Sequence, residues 1–155
     1  KMHAEFRRVL TQNGLEVHVV PTSTWRFWTS FTNYLELGQL VLKECSFLVP
    51  RGVGRKDLLD PLRAAVRILS TIKWRWFPVR HGEVGNSMTE LYLFSRWAWR
   101  SHFHRQGYEI VHCEPTGLFY TGHMFLGSRL PIDLRRRLAQ FLGSASMTYV
   151  LRHRS

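Results

Sequence analysis

Proton transfer in proteins falls most often to histidine, and His81 stands close to two carboxylates, Glu83 and Glu90. An imidazole titrates near neutrality and a carboxylate can orient it, so His81 with Glu83 or Glu90 is the candidate general base. The competing reading is an exposed loop histidine, which weighs more on sequence alone for one histidine among 8. Trp25, Arg26 and Trp28 form a second set, an aromatic and cationic wall suited to binding a sugar or acidic substrate. Tryptophans three apart also pack into cores, and that alternative stays open. Asn86 can hydrogen-bond a substrate or simply turn the backbone.

Other chemistries find little to work with. His102 and His104 are two apart, so on a helix they diverge, and no HExxH or Cys/His cluster exists; no metal site is expected. No GxSxG elbow begins a serine triad. Cys45 and Cys113 are far apart and make no disulfide framework, which points to a reducing, cytoplasmic setting. Lys and Arg number 22 against 11 Asp and Glu, a formal charge of +11 over 155 residues. That excess attracts anionic partners, but it is scattered along the chain. The densest run, Arg135-Arg136-Arg137, sits between Leu134 and Leu138 like the solvated side of an amphipathic helix. The motifs of RNA-binding and zinc-finger domains are missing, so nucleic acid is a secondary expectation. The first residues offer no apolar signal-peptide core and the chain no run long enough to cross a bilayer, so neither is expected.

These residues need elements to position them. Met2 to Leu10 has helical spacing, with Phe6, Val9 and Leu10 on one side, and Asn13-Gly14 supplies a left-handed stop. Leu15 to Val20 is rich in β-branched residues and ends at Pro21, which predicts a strand buried on both faces towards its end. Thr22-Ser23-Thr24 can cap a helix bearing Trp25 to Tyr34, followed by a loosely organised stretch to Arg55. Residues 57–76 predict a helix with Leu58, Leu62, Ala65, Val66, Leu69 and Ile72 sharing one face. Ser95 caps a helix over 96–106, Gly107 ends it, and Tyr108 to Cys113 alternates as a strand. Pro131 to Leu142 is a last helix and Met147 to Leu151 a last strand, while 117–127 is aromatic and unclassified.

In this order, two segments resemble the C-terminal half of class I S-adenosylmethionine-dependent methyltransferases. Arg8-Val9-Leu10-Thr11-Gln12-Asn13-Gly14 is similar to that family's R-x-L-x-x-G-G turn into its fifth strand. Phe94, Ser95, Trp99, Phe103, Gly107 and Tyr108 match the spacing F-[ST]-x-x-x-[LW]-x-x-x-[LF]-x-x-x-G-[FY] that leads into the sixth. The resemblance implies an α/β chain: the C-terminal half of a Rossmann-like fold, with a three-strand mixed sheet and helices on its faces. Its last strand would be antiparallel and central, and residues 22–88 would form a helical, substrate-facing insertion.

The same resemblance implies one partial domain over 1–155, transferring a methyl group from S-adenosylmethionine to a small anionic or sugar-containing acceptor. No cofactor residue is expected here, because Arg51-Gly52-Val53-Gly54 reads as a turn rather than the family's cofactor loop. The cofactor would then belong to a longer protein of which this is a downstream piece, inactive by itself. The crevice rule for open α/β sheets selects the loops Pro21–Trp28 and Arg80–Glu90 for substrate and proton. The alternative is a basic α+β module binding nucleic acid or an anionic membrane surface. Half a sheet also exposes an edge, which predicts self-association.

Overall fold

The computed structural model of the chain describes residues 2–11, 13–48, 59–76, 81–82, 84–121 and 129–154. The proposed turn at Arg51–Gly54 and the candidate Glu83 lie outside the described residues. In chain order the elements are α1 (Met2–Val9), β1 (Leu15–Pro21), α2 (Ser23–Leu48), α3 (Leu59–Arg75) and α4 (Thr89–Leu93). Then come α5 (Arg96–Arg105), β2 (Tyr108–Pro115), α6 (Ile132–Leu142) and β3 (Ser146–His153).

The sheet has the order β1-β3-β2, and β3 runs antiparallel to both neighbours. Leu15 pairs with Arg152 and Val20 with Met147 on one side, and Tyr108 with His153 on the other. Both ladders are thus antiparallel, and the mixed character expected of the sheet reduces to β1 and β2 running parallel without touching. The last strand is central, as expected. An irregularity between Ile110 and His112 shifts the β2 register.

Alternation sets the two faces of this sheet apart. Glu16 and Val20 of β1, Tyr149 and Leu151 of β3, and Tyr108 of β2 are buried together with Phe103 of α5. Trp99, Ile110, Cys113 and Met147 pack against that cluster. Leu15, Val17 and Val19 point the other way and are 47%, 64% and 63% exposed. The strand expected to be buried on both faces is therefore covered on one, since no layer of described residues closes the second.

Local signals explain most boundaries. Ser95 accepts a hydrogen bond from the Ala98 N–H at 3.1 Å and starts α5. Gly107 follows α5 with φ of +83°, where a side chain would be strained. Gly14 serves differently from the expected left-handed stop: it has no positive φ, but an added Cβ would meet Leu10 Cδ2 at 2.8 Å. A side chain there would have to displace the end of Leu10, just beyond α1.

The described part of residues 22–88 is more regular than its sequence predicts. α2 is a single helix of 26 residues, whereas the sequence indicates helix only as far as Tyr34. It pairs with α3 through Arg75 Nη1 to Glu36 Oε2 at 2.6 Å and Asn33 Nδ2 to the Arg75 carbonyl at 3.2 Å. On the shared apolar face of α3, Leu62, Val66 and Leu69 are each more than half accessible, and Leu58 lies outside the described residues. No described helix is long and apolar enough to cross a membrane.

Phe103 is 1% exposed at the centre of the core, whereas Phe141 is 85% exposed. Phe103→Ala should cost about 3–5 kcal/mol in denaturant unfolding. Phe141→Ala should stay within about 0.5 kcal/mol of the parent.

Candidate functional site at the carboxyl ends of the strands

The carboxyl ends of β1 and β2 and the start of β3 meet at one border of the sheet, where Pro21 faces Ser146 and Pro115 faces Met147. Here lies a cavity of about 440 Å³, bordered among others by Val19, Pro21, Trp25, Phe119, Tyr120 and Arg135. Its size is that of a small-molecule pocket, and its wall is largely apolar and aromatic.

Thr22 makes the turn from β1 into this site. Its N–H bonds the Ala145 carbonyl at 3.1 Å, and its hydroxyl donates to the Ser144 carbonyl at 2.6 Å. The same hydroxyl oxygen accepts from the Trp25 N–H at 3.2 Å, capping α2 as its sequence predicts. Trp25 and Arg26 are thereby placed in the first turn of α2. Trp25 faces the cavity, and its ring meets His81 edge-on with centroids 4.9 Å apart.

Arg26 is fully buried and so is Glu90, with Nε and Oε2 2.8 Å apart. Glu90 Oε1 also accepts the backbone N–H groups of His81 at 2.5 Å and Gly82 at 2.6 Å. One carboxylate thus fixes the residue 81–82 backbone beside α2. Arg26 Nη1 lies 3.0 Å from His81 Nδ1. A guanidinium only donates, so Nδ1 is the acceptor and the neutral ring carries its proton on Nε2. Burial, and then the Arg26 charge, hold the His81 pKa below its ordinary value, while Glu90 pulls it partly back.

The residues expected to form the site are therefore brought together in part. Trp25, Arg26, His81 and Glu90 converge, though Glu90 holds the His81 backbone while the ring takes its bond from Arg26. A neutral His81 in this geometry offers a donor at Nε2 rather than a vacant base at Nδ1. Asn86 turns the backbone: its Oδ1 accepts from the N–H groups of Met88 and Thr89, both at 3.0 Å. Trp28 donates Nε1 to the Leu142 carbonyl at 3.1 Å and meets Phe119 edge-on, supporting the cavity wall from α2.

Sequence reasoning missed Phe119, Tyr120 and Arg135. Arg135 was expected on a solvated stripe with Arg136 and Arg137, but it is half-buried while those two are exposed. Its Nε donates to the Leu130 carbonyl at 3.0 Å and its Nη1 to the Phe119 carbonyl at 3.2 Å, with the guanidinium over the Tyr120 ring. Applying the crevice rule to the end of β2 as well as β1 would have selected residues 116–120.

Comparison of the chain with family models, with curated proteins and with solved structures found no match.

Removing one partner of the buried pair leaves the other charge uncompensated. Arg26→Met or Glu90→Gln should each cost about 3–5 kcal/mol in equilibrium unfolding, and the double variant Arg26→Met/Glu90→Leu should recover part of the loss. His81 gives a pH signature. Because its folded pKa is depressed, its contribution to stability is complete above the ordinary value near 6.5 and is lost as pH falls through the folded value. An NMR titration of the His81 ring should give a midpoint below 6.5, rising in Arg26→Met.

Proposed function

We propose that this chain is the acceptor-side, C-terminal portion of a class I S-adenosylmethionine-dependent methyltransferase. The observation that carries the reading is topological: β3 lies between two mutually parallel strands and runs against both. That arrangement is what the resemblance of residues 8–14 and 94–108 implies for the end of the family's sheet. Two further features support it. β1 has no partner among the described residues on its outer edge, and its Leu15, Val17 and Val19 face has no described cover. An upstream half-sheet with its helices would supply both.

The described ends of β1 and β2 do not suit the cofactor itself. β1 passes through Pro21 and Thr22 into α2, where the Thr22 hydroxyl already takes the Trp25 N–H and no glycine-rich turn intervenes. What this chain offers is the acceptor side. In methyl transfer the protein's main work is alignment of the acceptor, with proton removal where the nucleophile needs it. Trp25, Phe119 and Tyr120 supply flat apolar surface on which a sugar or other ring can lie, and Arg135 adds positive charge at the rim. The His81 Nε2–H adds a donor next to Trp25. A small acceptor with a ring and an anionic group fits this set.

Calorimetric titration with S-adenosylmethionine tests the reading, on the 155-residue chain and on the chain extended by its upstream coding sequence. Saturable binding by the extended chain, absent from the shorter one, is expected. An extended chain that ignores the cofactor overturns the proposal. So does tight binding of RNA or acidic vesicles by the shorter chain with steep salt dependence, the behaviour of a basic binding module.

A further inference from the structure

On the α1-covered face of the sheet, three elements bring histidine and glutamate side chains to one spot. Glu16 and His18 are two apart on β1 and so share a face. His3, in the first turn of α1, approaches them from outside, and one ligating atom from each of the three lies within 4.8 Å of the others. His102 of α5 adjoins the group, its Nε2 3.2 Å from His3 Nε2. Glu16 Oε2 is 3.0 Å from His18 Nε2.

The Glu16 side chain is 3% exposed, and its Oε1 is buried with no hydrogen-bond partner among the described residues. An ion pair with His18 accounts for one carboxylate oxygen and leaves the other unexplained. It also gives no reason for two more imidazoles to converge beside it. A metal ion taken up by both oxygens of the Glu16 carboxylate would satisfy Oε1 and draw the imidazoles together. Ligands bonded tetrahedrally at about 2.0–2.1 Å stand about 3.3–3.4 Å apart, and the three ligand atoms here, all within 4.8 Å of one another, reach that spacing by small side-chain shifts. Around the cluster are aromatic rings: Tyr108 at 5.4 Å from His3, and Phe6 and Phe103 at 5.5 Å and 5.4 Å from His18. Such a dry shell raises the benefit of a bound charge to the ligands that share it.

We infer that His3, Glu16 and His18 bind a divalent transition-metal ion of the zinc class. Imidazole and a single carboxylate select zinc, cobalt or nickel over magnesium and calcium, which require oxygen ligands throughout. The three ligands come from α1 and β1, so a bound ion fastens the first helix to the first strand. The inference stands apart from the methyltransferase reading, because the cluster shares no residue with the cavity near Trp25.

Cobalt titration of the full chain after chelator treatment tests it. One ion per chain with the intense visible bands of tetrahedral cobalt is expected, displaced by zinc, together with a zinc-dependent rise in Tm. His18→Gln and Glu16→Gln should each weaken binding by more than the roughly 10–100-fold that losing a supporting group costs. His112→Gln should leave it unchanged, since His112 forms a similar but exposed pair with Glu114. If a variant fails to fold, imidazole nitrogen NMR of the parent chain decides: zinc must shift His3 and His18 and leave His112 unmoved. Absence of cobalt binding by the parent, or binding that His18→Gln and Glu16→Gln leave intact, overturns the site.

Discussion

A strand paired along both edges is held by two registers at once, and in this chain β3 is that strand. Its alternation decides which residues of all three strands face the core. Tyr149 and Leu151 turn inward, so their partners His18, Glu16, Ile110 and Cys113 lie on the same face. A slip of one residue would send the whole set outward. The start of β3 also delivers Ala145 and Ser146 to the carboxyl ends of β1 and β2, where they help form the cavity. Thr116 secures that junction, its hydroxyl lying 3.0 Å from Ser144 Oγ and 2.8 Å from Ser146 Oγ. Both the cavity and the histidine cluster therefore depend on where one late segment of the chain inserts.

The Arg26–Glu90 pair works at the next level. Taking two charges out of water costs several kcal/mol per ion, and their attraction alone seldom offsets this. Here the carboxylate gains two backbone N–H donors as well, so its charge is shared among three groups. The return on that arrangement is position more than stability. The pair pins the His81–Gly82 backbone against the first turn of α2. His81 then inherits both its location and its tautomer from a contact whose partners are 55 residues apart.

How much of this was legible in the sequence follows from the range of the interactions. Boundaries set by neighbours in the chain were readable: Thr22 and Ser95 as caps, Gly107 as a stop, Pro21 as a strand end. The central position of β3 was readable only through the resemblance, because strand order leaves no local trace. That the segments around Trp25 and His81 lie side by side was readable for the same reason, while the partner of the His81 ring was not. A carboxylate and a guanidinium both lay within reach, and only three-dimensional placement distinguishes them. Arg135 was misplaced because a run of three arginines looks solvated, although one member of such a run can turn inward over a tyrosine. The His3, Glu16, His18 and His102 cluster joins three elements with no spacing motif. Period-two alternation shows that Glu16 and His18 share a face, but nothing linear reveals what stands opposite.

The uneven finish of the sheet bears on what the chain is built to join. One face is closed by Phe103, Tyr108 and the α1 contacts, whereas Leu15, Val17 and Val19 on β1 retain about half or more of their exposure. Fully burying such side chains contributes roughly 1.5–3 kcal/mol each, so covering these three from their half-exposed state contributes on the order of half that apiece. Against a typical total stability of about 5–15 kcal/mol, that is a substantial reserve. Edge strands that must stay unpaired usually carry lysine or an inward charge facing the open side. β1 has neither on its bare face: its one carboxylate, Glu16, points into the histidine cluster, and its proline comes only at the end. A strand so unprotected is suited to acquiring a neighbour, either a second copy of this edge or an upstream strand with its own layer of helices. An added upstream strand and layer satisfies more: it covers the apolar face and the free backbone edge together, where pairing of two copies covers the edge alone.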